Sequence, residues 1–443
     1  MAVVVIVGAA CTQELTPPPQ ERPAAPSSPS IRPLILDVVA DVTPEGFSDR
    51  VTNSYLDGMA LAVRAVNADG GVDGRPIRLS LHDHEGRAGS AVSLLEPLVG
   101  RSPAVLYVGP GSPLVRLRAP LEQAGTPVVL LEGDLYTSRD LFRQVFQTTI
   151  PWAWQATVIA RYLVRDRRAR DIVFVGGGRE GGMAADPARA AVSYWGGELA
   201  QTFTSRSFDP RTGFRRAYNR AARADAVIMF GRPLDALLAV NSIEEVANEF
   251  PAISSSAALL QLDEGLAHPE PGATACYVYA WGGWAQPIKR VATFRKSFRR
   301  TFGRFPSGFE QEGYDAVRVL VEGLKRTGGE GGRRLTAALE RLPEQTFSSV
   351  PVNLGPDDHL FLPRDELGLF AVPGPSEELD PWQKPRRSNW RPLMRTFTYD
   401  EKRTNILDRD KRAFFRFWRK NRPSPFYWQS RYGITTRPTD PLH

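Results

Sequence analysis

The stretch LDGMALAVRAVNADGGVDGRPIRLSL (56–81) passes from a helical segment, Ser54–Asn67, through a glycine-rich turn into the apolar strand IRLSL (77–81). The same unit recurs on both sides of it. LILDVVA (34–40), AVLYVG (104–109), PVVLL (127–131), DIVFVG (171–176) and AVIMFG (226–231) are apolar runs of strand length. Between them lie the helical stretches Ala88–Val99, Leu114–Ala124 and Trp154–Arg165. Strand and helix in alternation, with strands that are nearly continuous in apolar residues, predict an α/β fold of parallel sheets covered by helices on both faces. A half-exposed antiparallel sheet would alternate polar and apolar positions instead. Two series of such units, Pro33 to about Thr148 and Thr149 to about Leu262, predict two doubly wound lobes. Ligands of such sheets sit beyond the carboxyl ends of the strands.

The 443 residues are enough for two or three domains, each with its own core. Hydrophobic content of 42% and charged content of 24% are ordinary for a globular chain. No apolar run reaches the roughly 18 residues of a membrane-spanning helix. Cys11 and Cys276 are too few and too far apart for a disulfide framework. Cys276 stands in an apolar stretch and is expected to be a buried small residue.

Within residues 56–86, Asn67, Gly70 and Gly71 spell a helix end of the form Asn-x-x-Gly-Gly, and Gly74-Arg75 forms a small turn before the strand. This segment resembles the first helix and second strand of the branched-chain amino-acid-binding family, the type I periplasmic binding proteins of ABC transporters. YVGPGS (107–112), AGTPVV (124–129), GFEQEGYDAVRVLVEGL (308–324) and LGPDDH (354–359) follow in the family's order, so the resemblance covers roughly residues 33–372. It implies that the chain crosses between lobes three times. Residues 33–148 plus 275–345 would form lobe one, and 149–274 plus 346–372 lobe two, with hinge closure around the ligand.

The resemblance also implies where a ligand is held. The family receives a ligand carboxylate at a Ser or Thr after a Gly-Pro turn, which is Ser112 here; the same residue could instead cap the helix that follows. The family's second carboxylate-binding segment corresponds to Leu130–Asp134. Asp134 would repel a carboxylate, which points to a cationic or neutral ligand, a shifted pose or no ligand; alternatively it caps a turn beside Gly133. The acid that the family offers to a ligand ammonium is missing from PAISSSAALL (251–260), where Ser255 and Ser256 stand instead. Gly231 and Arg232 follow a strand where the family places ligand contacts, and Arg232 suits an anion or simply the surface. Trp152 and Trp154 at the first crossover, and Tyr279 and Trp281 near the second, could wall an apolar or ring-shaped ligand or pack the hinge.

Other groupings are weaker. His82, Asp83, His84 and Glu85 have metal-ligand chemistry without a full ligand set, so no metal is expected. Gly176–Gly178 with Gly181 and Gly182 lacks the Lys-Ser/Thr of a phosphate loop and the spacing of a dinucleotide fingerprint, leaving a flexible loop beside the ligand site. No Ser-His-Asp or Cys-His arrangement stands out among five histidines, so neither an enzyme nor a cofactor is expected.

The two ends carry separate information. MAVVVIVGAAC (1–11) has an apolar run, small residues and then Cys11, which resembles a bacterial lipoprotein signal ending at an acylated cysteine; a short N-terminal strand is the other reading. Residues 12–32 are rich in Pro, Ser, Ala and Gln and make a solvated tether. Residues 373–443 hold 16 Lys and Arg against 8 Asp and Glu and four of the nine tryptophans, so the excess basicity of the chain lies there. Such a basic aromatic extension suits packing against the lobes, a protein partner or an anionic membrane surface; nucleic acid is not expected. The expected function is an extracytoplasmic, lipid-anchored binding protein that captures a small polar, amino-acid-like solute for an ABC permease. A ligand-free or sensor-like scaffold docking a partner through residues 373–443 is the alternative.

Overall fold

The computed structural model describes residues 32–42, 47–132, 143–149, 151–205, 215–230, 252–255, 275–280, 289–304, 306, 308–348, 351–356, 358–361, 367–371 and 392–395. The first series of units forms a five-stranded, all-parallel sheet. Its strands are β1 (Leu34–Ala40), β2 (Ile77–Asp83), β3 (Val105–Val108), β4 (Val128–Leu131) and β5 (Val145–Gln147), in the order β2-β1-β3-β4-β5. Side chains two apart point to the same face of a strand, and here each face is buried. Leu34, Leu36, Val38 and Ala40 pack beneath α1 (Phe47–Ala68), α9 (Gly308–Thr327) and α10 (Gly332–Leu339). Val39, Val105, Tyr107, Val128 and Leu130 face α2 (Ala88–Leu95), α3 (Ser112–Arg116) and α4 (Arg118–Ala124).

The second sheet has seven strands. β6 (Ile172–Gly177), β7 (Leu199–Ser205), β8 (Ala226–Phe230), β9 (Ala252–Ser255) and β10 (Ala275–Ala280) pair in parallel, while β11 (Leu367–Ala371) and β12 (Pro392–Arg395) close the sheet antiparallel. The strand order is β12-β11-β10-β9-β8-β6-β7. Alanines of α5 (Trp152–Arg161) and α6 (Gly178–Tyr194), among them Ala156, Ala184, Ala188 and Ala191, bring those helices onto Ile172, Phe174, Ile228 and Phe230. Helices α7 (Arg215–Ala221) and α8 (Lys289–Phe302) complete the elements used below.

The chain therefore passes three times between the sheets: after β5, between β10 and α9, and before β11. Several elements differ from expectation. Residues 275–280 pair with β9 inside the second sheet, so the return to the first sheet comes after Ala280 rather than at residue 275. The single helix expected over Leu114–Ala124 is broken at Leu117, because Pro120 has no N–H to give to the carbonyl one turn back. The expected helix over Trp154–Arg165 ends at Arg161 and closes in a π turn over Tyr162–Asp166. The glycines at 176–182 form no loop, since β6 runs directly into α6. Four residues of the basic extension, Pro392–Arg395, add an edge strand to the second sheet; the rest of residues 372–443 lies outside the described residues.

One packing detail fixes how two helices cross over the first sheet. Helices α1 and α9 approach until their backbones touch. A Cβ on Gly58 would stand 2.0 Å from the Glu310 carbonyl oxygen, and one on Gly313 2.2 Å from the Tyr55 carbonyl oxygen. Only glycine permits that approach. The crossing places Tyr55 of α1 beside Glu312 of α9.

Candidate functional site

The carboxyl ends of β3, β4 and β5 gather polar groups from several elements. Beyond β3, Gly109 donates its N–H to the Leu131 carbonyl at 3.1 Å, and the chain turns through Pro110 and Gly111 into Ser112. Ser112 is the first residue of α3, with Gly111 at the cap position. Beyond β4, Glu132 has a left-handed backbone with φ 70°, a conformation that costs energy in a residue with a Cβ and concentrates at functional sites. Beyond β5, Thr148 donates its N–H to the Leu130 carbonyl at 3.1 Å.

Glu312 reaches these strand ends from α9. Its Oε2 accepts a hydrogen bond from the Thr148 hydroxyl at 3.0 Å, and the Tyr55 hydroxyl stands 3.5 Å from the same oxygen. Glu312 makes no ion pair and no other hydrogen bond among the described residues. Burial pushes its carboxyl up to about 7; the Thr148 and Tyr55 hydroxyls pull the other way, and the Asp315 carboxylate adds to the rise. The Tyr55 phenol is pushed well above its ordinary value, first by burial and then by the charges of Glu312 and Glu132. It remains a neutral donor. One helical turn before it on α1, Thr52 is fully buried and its Oγ1 has no hydrogen-bond partner among the described residues.

Two residues away from Glu312 the chemistry is different. Glu310 is fully buried and bonded by Arg304, whose guanidinium also holds Asp57 at 2.7 Å. A guanidinium between two carboxylates is a self-contained ion network.

The histidines proposed with metal chemistry have structural partners. His82 Nε2 stands 2.8 Å from Asp37 Oδ1, and Asp37 also accepts from Ser102. His84 is buried with Nε2 3.1 Å from the Val108 carbonyl. Among the described residues no group of three or more potential ligands gathers to hold a metal ion. His359 lies between Glu340 and the Val145 carbonyl and stacks on Phe146 at 4.3 Å, tying the third crossing to β5.

Of the residues expected at the site, Ser112 opens α3 at the end of β3, and Ser255 ends β9 in the second sheet. Trp152 begins α5 directly after the first crossing, though its side chain is not among those described. Asp134, Gly231, Arg232, Ser256, Trp281 and Cys11 lie outside the described residues. The expectations missed Tyr55, Glu132, Thr148 and Glu312. A signal for Glu312 was present: it lies three residues after Phe309 and four before Ala316, both buried, which puts an acid at the border of the buried face of α9, where its side chain is half-buried.

The family model for periplasmic binding proteins matches residues 40–363. The chain belongs to that family. Solved periplasmic binding proteins share its fold at low sequence identity. The branched-chain amino acid transporter substrate-binding protein LivJ of Streptococcus pneumoniae, solved with isoleucine, is 16% identical with a TM-score of 0.62, over 77% of this chain and 96% of that one. An ABC transporter substrate-binding protein of Desulfitobacterium hafniense, solved with leucine, is 17% identical with a TM-score of 0.61, over 77% and 97%. A type 1 periplasmic binding protein of Bordetella pertussis Tohama I reaches a TM-score of 0.67 at 16% identity, over 78% and 98%. No curated protein matches the chain. Periplasmic binding proteins act outside the cytoplasm, and the family and fold are those of solute-binding proteins. Among the described residues no helix is long and apolar enough to cross a membrane.

Proposed function

We propose that this periplasmic binding protein captures a small polar, amino-acid-like solute and delivers it to an ABC permease. The observation that carries the reading is the convergence of Ser112, Glu132, Thr148, Tyr55 and Glu312 on the carboxyl ends of one parallel sheet, where such folds bind ligands. In this reading Ser112 supplies a hydroxyl to the solute's anionic end. The facing contacts come from the second sheet's strand ends: Ser255 and Ser256 after β9, and Gly231 and Arg232 after β8. Trp152 and Trp281 wall the site at the crossings, and Asp134 contributes negative charge beyond β4. Cys11 carries the lipid anchor, and residues 12–32 tether the body above the membrane. The basic extension serves first as packing for the second sheet, consistent with its edge strand at Pro392–Arg395.

Thermal unfolding of the full chain against a panel of amino acids, amides, polyamines and small acids tests this. A solute at 100 times its dissociation constant stabilises a protein by about 2.7 kcal/mol. A hit weakened in Ser112→Ala supports capture with Ser112 in the site. A well-folded protein that no solute stabilises argues for a scaffold of the same fold.

A further inference from the structure

We infer that Glu312 anchors a cationic group of the captured solute, so that the site selects a small amine or guanidinium cation. The inference rests on the capture reading and names its solute class.

Position is the first argument. Glu312 lies at the ends of β4 and β5, held there by the α1–α9 crossing through Gly58 and Gly313. The second is incomplete pairing. Oε2 takes both of its hydroxyl contacts, from Thr148 and Tyr55, and Oε1 takes no hydrogen bond among the described residues. Among the described residues no lysine or arginine acts on the carboxylate; the charged groups near it are acids, Asp315 on its own helix and Glu132 through Tyr55. Thr148, at the end of β5, contributes only a hydroxyl. A glutamine in this place would keep the hydroxyl contacts without burying a charge, so hydrogen bonding within the protein gives no reason for a carboxylate.

The third argument is independent of Glu312. Thr52 Oγ1 is fully buried without a partner one turn from Tyr55. Buried hydroxyls are nearly always hydrogen-bonded, so this one calls for a donor or acceptor that the protein does not provide among the described residues. A polar cation with several N–H donors supplies such a group at Thr52, or pairs with Glu312 Oε1 and neutralises its charge. The second-sheet segment 251–260 contains no acid.

A cation beside a carboxylate favours its ionised form. A group titrating near 7 is about one-tenth ionised at pH 6 and nine-tenths at pH 8. Cation binding accordingly tightens roughly tenfold between those pH values and releases a proton. Isothermal titration of the full chain with putrescine, L-lysine and L-leucine, at about pH 6 and about pH 8, reads this directly. The expected result is binding of putrescine or lysine that strengthens with pH in the wild type. In Glu312→Gln that binding weakens at least tenfold and loses its pH dependence. Thr148→Val, which removes one donor from the carboxylate, moves the midpoint of the pH dependence of amine binding upward. If Glu312→Gln does not fold by circular dichroism, that midpoint shift decides.

Amine binding that is equally tight in Glu312→Gln, or a Thr148→Val midpoint that does not move, overturns the inference. Binding of leucine alone that is unchanged in Glu312→Gln overturns it too, while leaving solute capture intact. A folded protein that binds none of these, and nothing in the broader panel, removes both readings.

Discussion

Glu310 and Glu312 stand two residues apart on the same helix and meet opposite fates. Glu310 is fully buried and has a guanidinium against it, with Asp57 completing the network. Glu312 has hydroxyls, neighbouring acids and no cation among the described residues. The first arrangement is what a helix needs to bury an acid at the foot of a crossing. The second leaves a charge for which nothing within the described fold compensates, at the edge of a parallel sheet where ligands bind. The contrast separates an acid that serves the structure from one that serves the site.

The comparison can be broken from either side. Arg304→Ala removes the guanidinium from the buried Glu310; we expect a loss of about 3–5 kcal/mol in chemical denaturation, the largest effect of the set. Gly313→Ala forces α9 away from the Tyr55 carbonyl and costs about 3 kcal/mol. It also separates Tyr55 from Glu312 and should weaken any solute that Glu312→Gln weakens.

Glu312→Gln has the opposite sign. The native carboxyl keeps its proton up to about pH 7, whereas the unfolded one releases it near 4.5. Between those values the native state binds more protons, so stability falls as pH rises, and above 7 the full penalty is present. We therefore expect Glu312→Gln to be more stable than wild type by up to about 3 kcal/mol at pH 8 and nearly equal to it at pH 4, measured by urea unfolding at both. Thr148→Val should cost about 1 kcal/mol through its lost hydrogen bond. It is the smallest effect and the finest test of whether that hydroxyl steadies the charge.

The sequence pattern carried the sheets further than the site. β1 begins and ends at Leu34 and Ala40 as its apolar run does, because a strand buried on both faces shows its limits in composition. The break at Leu117 was written in Pro120, yet the apolar spacing on either side hid it. The place of β10 was not legible at all, since neighbours in a sheet are chosen by tertiary packing rather than by the strand's own residues. Ser112 stands where a local pattern puts it, after a Gly-Pro turn at a helix start. Glu312 depends on Tyr55, Thr148 and Gly58, which no spacing along the chain connects to it.

The central claim is that Glu312 is a half-buried carboxyl near neutrality that the captured solute titrates. Difference infrared spectroscopy of wild type against Glu312→Gln, across about pH 5 to about pH 9 and with or without putrescine, observes that carboxyl directly. The account predicts a protonated-carboxyl band present in the wild type only, fading around pH 7 without solute and at lower pH with putrescine bound. A band that fades at the ordinary carboxyl range, or one that putrescine leaves unmoved, would contradict it.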